Sequence, residues 1–267
     1  LNRVFWDYSN PIFFGDISMK KMLLLFVLFF VQIQTWAQPG SLDLGMLLDM
    51  PSARTLPSGS IETELRMYSS GGLLTALTVG ISDRFCLGVS YGGENIIGIG
   101  RVNLNPLPCV HVRYLVVAEG FLSPALLIGF DSQGYGEYSK DLKRYAIKSR
   151  GMYVVASKNT SFLGGIGIHA GMNWSLENED GDSDPNIFAG CHKRLNSELV
   201  LMAEYDTAIN DNSDNALGSG KGYLNCGLRW SFFKKLFIEF AWKNVLENRE
   251  NVPGSSREVK LVYLTTF

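Results

Sequence analysis

His169 and Ser175 are the residues whose types first suggest nucleophilic chemistry in this chain. A histidine that takes a serine's proton needs hydrogen-bond contact with it. Both sit in a segment of strict two-residue alternation. Phe162, Gly164, Ile166, Ile168, Ala170, Met172, Trp174 and Leu176 share one parity; Gly165, Gly167, His169, Gly171, Asn173 and Ser175 share the other. Side chains alternate across a strand, so His169 and Ser175 point the same way yet stand about 20 Å apart. That spacing leaves them as polar lining of one strand face. Gly165-Ile-Gly167-Ile-His-Ala170 fits the loose dinucleotide fingerprint. The fingerprint needs a strand-to-helix turn, and here the alternation runs straight through. Asp180, Asp182 and Asp184, near Glu177 and Glu179, suggest a calcium loop, but Pro185 stands where the EF-hand pattern wants glycine. A solvated acidic loop is the expectation. Cys86, Cys109, Cys191 and Cys226 are widely spaced, with no Cys/His cluster at zinc spacing. No catalytic residue, cofactor or metal is expected, and the protein reads as non-enzymatic.

The elements that carry these residues repeat one theme from Ser60 onward: about ten alternating residues, then a break. Twelve strands are expected, over residues 60–68, 73–81, 84–91, 109–117, 122–130, 151–157, 162–176, 186–194, 198–206, 223–232, 236–244 and 257–267. The tenth sets Leu224, Cys226, Leu228, Trp230 and Phe232 against Asn225, Gly227, Arg229 and Ser231. The fifth, sixth and eighth alternate poorly. One apolar and one polar face suit a wall with lipid outside and water inside. Connectors after even strands are short, and those after odd strands from the third on run roughly 9 to 20 residues. Bacterial outer-membrane barrels have short periplasmic turns and long outer loops. The expected fold is therefore all-β: a closed antiparallel transmembrane β-barrel of about twelve strands over residues 60–267, preceded by a signal peptide.

Composition agrees. Net charge is −2, which argues against a nucleic-acid partner. Mean hydropathy is +0.06, too low for a helical membrane bundle but not for a barrel, where every second strand residue meets lipid. Met19-Lys20-Lys21, the apolar run 22–31 and Thr35-Trp36-Ala37 have the layout of a secretory signal peptide, residues 19–37. Residues 1–18 read as an upstream extension before the real start. Residues 38–59, with Pro39, Pro51 and Pro57, read as a periplasmic lead-in or a partial plug.

Parity places Glu62, Glu64, Arg66, Arg113, His169, Asn173, Glu198, Glu204, Arg229, Glu239 and Lys243 on the lumen, with Asp206, Glu258 and Lys260. Mixed interior charges either close a barrel or tune a water-filled path. Val259, Leu261, Tyr263, Thr265 and Phe267 share one face of the last strand. Tyr263 and Phe267 resemble the terminal aromatic signal read by barrel-assembly machinery.

Glu119-Gly120, Pro124-Ala125, Ile128-Gly129-Phe130-Asp131, Gly134-Tyr135-Gly136 and the run from Tyr153 to Lys158 resemble the YjbH family of outer-membrane proteins. Pro51-Ser52-Ala53-Arg54, followed by Gly59, is similar to that family's lead-in. The chain departs from it at Ser132-Gln133 and in a basic insertion, residues 140–150; the family is also usually much longer. The resemblance implies a bacterial outer-membrane location and a role linked to exopolysaccharide export, with polysaccharide or its export proteins as partners beside outer-membrane lipid. It carries no catalytic residues. A narrow channel is the companion expectation. The alternative is a secreted soluble β-barrel binding a small apolar ligand.

Overall fold

The computed structural model describes residues 45–160, 165–233, 235–249 and 254–267. The upstream extension, the signal peptide, the start of the lead-in, and Phe162 and Gly164 lie outside the described residues. Twelve strands form the wall: β1 Ser60–Tyr68, β2 Gly72–Ser82, β3 Phe85–Glu94, β4 Cys109–Val117, β5 Ala125–Asp131 and β6 Gly151–Thr160. They continue as β7 Ile166–Trp174, β8 Asn186–Arg194, β9 Leu199–Asp206, β10 Tyr223–Phe232, β11 Leu236–Lys243 and β12 Ser256–Thr266. Each pairs antiparallel with the next, and β12 returns to β1 in register from Ser60↔Thr266 to Met67↔Val259. Closure leaves no wall strand with an unpaired edge, the condition for backbone to cross lipid. The all-β closed barrel expected from the alternation is the observed fold.

Facing follows the pleat. Leu77, Leu87, Val89, Ile128, Met152, Ile168, Ile187, Phe240, Trp242 and Tyr263 are exposed on the outside. Arg66, Arg113, His169, Asn173, Glu204, Arg229, Glu239, Lys243 and Lys260 are buried inside. Such an inversion, apolar out and charged in, is stable only with hydrocarbon around the wall. All four cysteines are free.

Several strand bounds differ from expectation, among them the seventh, which ends at Trp174 and leaves Ser175 and Leu176 outside it. Lys158, Asn159 and Thr160, expected as a turn, are the last residues of β6, and β7 starts at Ile166. Leu122, expected in β5, is exposed ahead of it. The long connector after β5 also carries a hairpin of its own, Tyr135–Ser139 paired with Arg144–Ile147.

The interior is filled. Leu47, Leu48, Met50 and Ala53, from the segment before β1, form one buried cluster with Leu127, Tyr153, Val155, Phe188, Val200, Met202, Phe237 and Val262 of the wall. Full burial of each large member stabilises by about 1.5–3 kcal/mol. Two lumen glycines allow the approach: a Cβ on Gly190 would lie 2.6 Å from Leu47 Cδ1, and one on Gly227 2.6 Å from Leu48 Cδ2.

Phe240, half exposed near the middle of β11, tests the lipid face. Phe240→Arg should destabilise the barrel by about 2–4 kcal/mol in bilayers. Urea unfolding in lipid vesicles measures it; a neutral result would contradict the membrane-facing assignment.

Candidate functional site

The site is built on a tight hairpin before β1. Met46 bridges Pro51, the Leu47 amide donates to Met50 O at 2.8 Å, and the Ser52 amide donates to Gly45 O at 2.9 Å. Pro51 has no amide to donate, which suits the end of so short a turn. Leu48 and Asp49 form the tip. The stretch expected as a lead-in or partial plug thus lies, from Gly45 to Ala53, within the barrel.

Wall side chains converge on the tip. The Glu204 carboxylate accepts the amides of Leu48, Asp49 and Met50 at 3.0–3.1 Å. Successive amides aimed at one anion form a concave anion seat. The Asp49 carboxylate accepts from Arg66 at 2.7 Å and from Lys243. Arg66 also donates to Leu48 O at 3.0 Å, and Arg229 donates to Met46 O and Leu47 O at 2.7 and 2.8 Å. Arg229 pairs in turn with Glu239 at 2.8 Å, and Lys260 with Glu239 at 3.0 Å. Farther along, the Ala53 amide donates to Ser157 Oγ at 2.7 Å.

From the outer side a second group closes on the same cations. The Tyr135 ring of the loop hairpin lies 4.5 Å from the Arg66 guanidinium carbon and 5.9 Å from Lys243 Nζ. These distances give cation–π attraction. Arg66 and Lys243 are held between Asp49 and Tyr135.

Above them the outer loops lock by charge. Arg144 pairs with Asp180 and, at 2.7 Å, with Asp211. Lys148 reaches Asp180 at 2.8 Å and Asp182 O at 2.9 Å; Arg150 pairs with Asp206. The expectation of a solvated acidic loop is corrected here. Asp180 and Asp182 are buried, because the basic insertion lies directly across from them. Asp184 and Glu179 stay exposed. Glu177 accepts the Ser149 amide at 2.8 Å, yet burial pushes its carboxyl up from 4.5 to about 7.

At the end of the barrel with the short turns a cavity of about 260 Å³ lies beside the hairpin. It is lined by Ser52, Arg54, Glu119, Ser157, His169 and His192, among others. Ser157 Oγ is 2.7 Å from His169 Nδ1, and His169 Nε2 is 3.0 Å from His192 Nδ1. A serine–histidine contact therefore exists, with Ser157 rather than Ser175. Its hydroxyl is also taken by the Ala53 amide, so the contact anchors the arm of the hairpin. Among the described residues, no group of three or more His, Cys, Asp or Glu could hold a metal ion.

The sequence-predicted lumen residues Glu62, Glu64, Arg66, Arg113, His169, Asn173, Glu204, Arg229, Glu239 and Lys243 all project inward. Asn173 joins Asn186 and Arg150 O near the outer end. Glu198 differs: it is exposed in the turn before β9, which begins one residue later, at Leu199. Tyr263 and Phe267 are exposed on the outer face and at the chain end. Sequence reasoning missed Asp49, Tyr135, Ser157 and His192. Ser157 and His169 are directly paired across β6 and β7, and placing the turn at residues 158–160 concealed that register. For Asp49 the signal was an apolar run, Met46-Leu47-Leu48, outside any strand.

No family model matches the chain, and no curated protein does. Among solved structures the chain is similar to the KdgM porin, with a TM-score of 0.51 and 11% identity over 76% of this chain and 98% of that one. The KdgM porin in complex with disordered oligogalacturonate gives 0.50 at 11% identity, over 76% and 98%. The NanC porin gives 0.42 at 12%, over 78% and 99%. The chain has the fold of outer-membrane porin barrels, and with its apolar outer belt it is a barrel of the bacterial outer membrane.

Two outcomes follow from the geometry. Glu204→Gln removes the charge from three amide contacts, each class worth about 1.5–3 kcal/mol. It should lower the urea midpoint of the folded barrel, and an unchanged midpoint would show that these contacts add nothing. Glu177 has a raised folded pKa, so below about 4.5 it is neutral whether the loop is docked or free. Between about 4.5 and about 7 only the free loop ionises, and docking weakens as pH rises. Glu177→Gln should flatten that dependence in thermal midpoints measured across the window.

Proposed function

We propose that this protein is a narrow outer-membrane channel held shut by its own N-terminal hairpin. The observation that carries the reading is the convergence of lumen charges from β1, β9, β10, β11 and β12 on residues 46–50. A wall designed only to fill itself has no need of long cations whose partners sit on a separate segment. Twelve strands lie between filled eight-stranded barrels and open sixteen-stranded porins. With the hairpin withdrawn, such a wall encloses a charged, hydrated path suited to small polar solutes. Likeness in fold to a porin that binds an acidic oligosaccharide supports a saccharide as cargo. The residues shared with the YjbH pattern support a link to exopolysaccharide export and its proteins. Tyr263 and Phe267, exposed at the end of the closing strand, are the assembly signal in this reading, and outer-membrane lipid and the barrel-assembly machinery are the partners. A soluble barrel around an apolar ligand is disfavoured, because the apolar face points outward.

Planar-bilayer recording tests the channel. The full chain should be closed or open briefly, and a variant lacking residues 45–53 should give steady current. Absence of current from that variant at every voltage, with its mobility in electrophoresis still heat-dependent as expected of a folded barrel, would overturn the reading.

A further inference from the structure

The hairpin tip does more than fill space. Each Asp49 oxygen has its own cation: Oδ1 meets Arg66 and Oδ2 meets Lys243. Both cations belong to the wall, on β1 and β11, whereas the carboxylate belongs to the removable segment. Side-chain exposures of Arg66, Lys243 and Asp49 are 4%, 4% and 3%. A pair of buried cations that loses its counter-ion is strongly destabilised. The remaining wall acids are farther off: Glu64 at 3.4 Å and Glu258 at 3.6 Å from Arg66, and Glu204 at 3.7 Å from Lys243. Glu204 would itself lose three amide donors on withdrawal. Withdrawal leaves Arg66 with Glu64 and Glu258 and Lys243 with Glu204 at these longer distances, and it empties the one seat where a single carboxylate met both cations.

We propose that Arg66 and Lys243 form a carboxylate-binding site that Asp49 occupies as an internal ligand, so that a carboxylate-bearing solute displaces the hairpin and opens the barrel. The proposal rests on the channel reading and adds its trigger and its specificity. Planar guanidinium and point-charge ammonium together suit a carboxylate, with one oxygen on each. The void beside the site is only about 10 Å³, room for about one water and for no solute, so solute and Asp49 exclude one another. Tyr135, on the far side of the same cations, holds them in place for whichever carboxylate they meet. A neutral solute cannot replace the lost charge, and the coupling between anion binding and opening must be reciprocal. Filling the site favours the open barrel, and removing the hairpin raises affinity for the anion.

The probes are D-glucuronate and D-glucose, which differ in one carboxylate. In bilayer recordings of the full chain, millimolar glucuronate should raise open probability several-fold and glucose should not. Asp49→Asn should open without ligand and lose the response. In equilibrium binding, the variant lacking residues 45–53 should take glucuronate at least tenfold more tightly than the full chain. Equal binding by the two forms, an equal response to glucose, or an unaltered response in Asp49→Asn would overturn the proposal. If the hairpin-less variant conducts while glucuronate neither binds nor opens the full chain, the trigger fails and the channel stands. If that variant does not conduct, the channel reading itself fails.

Discussion

A charge taken out of water must meet an opposite charge or a set of hydrogen-bond donors, and the rest of this structure depends on that rule. The wall strands project Arg66, Arg229, Lys243 and Lys260 together with Glu204 and Glu239 into one enclosed volume. Strand geometry fixes where those side chains stand, so the wall cannot rearrange to satisfy all of them. The hairpin supplies what is missing: one carboxylate for two cations, three amides for one carboxylate, and carbonyls for Arg229. It supplies them from a single turn of chain because the amides of residues 48–50 face Glu204 while the carbonyls of residues 46–48 face Arg229, Arg66 and Lys260.

The same rule shapes the outer end with different material. There the acids and bases come from loops, and Arg144, Lys148 and Arg150 meet Asp180, Asp211 and Asp206. These loop pairs are as well covered as the hairpin contacts, with Arg144 and Asp180 wholly buried, so both ends are held by charges out of water. The two layers meet at Arg66 and Lys243, touched by Asp49 from one side and Tyr135 from the other. The hairpin and the loop hairpin thus share the same two cations.

The wall was legible because lipid imposes a two-residue period that few other environments impose so steadily. The first, fourth, eighth and tenth strands fall on the expected residues. The weak alternation of β5, β6 and β8 has a physical cause: Leu127, Tyr153, Val155 and Phe188 face inward and pack with Leu47 and Met50. Apolar residues on both faces blur the pattern, and the blurring marks where the interior is filled. Lumen residues followed from parity, and Glu198 did not because the strand starts after it. What parity cannot supply is the partner across the lumen. Asp49 and Tyr135 lie on segments with no period, and Ser157 meets His169 through a register that depends on where one turn falls.

The hairpin lies ahead of every wall strand in the chain, but its partners lie near the far end. Its amides reach Glu204 across 154 to 156 residues, and Leu48 O meets Lys260 across 212. Contacts of such separation close late, because the intervening chain must first be ordered. No seat for the hairpin exists until β9 to β12 stand beside β1. The first part of the barrel to be synthesised is therefore the last to take its place. Docking of residues 45–53 must await the strands that carry Glu204, Arg229, Lys243 and Lys260.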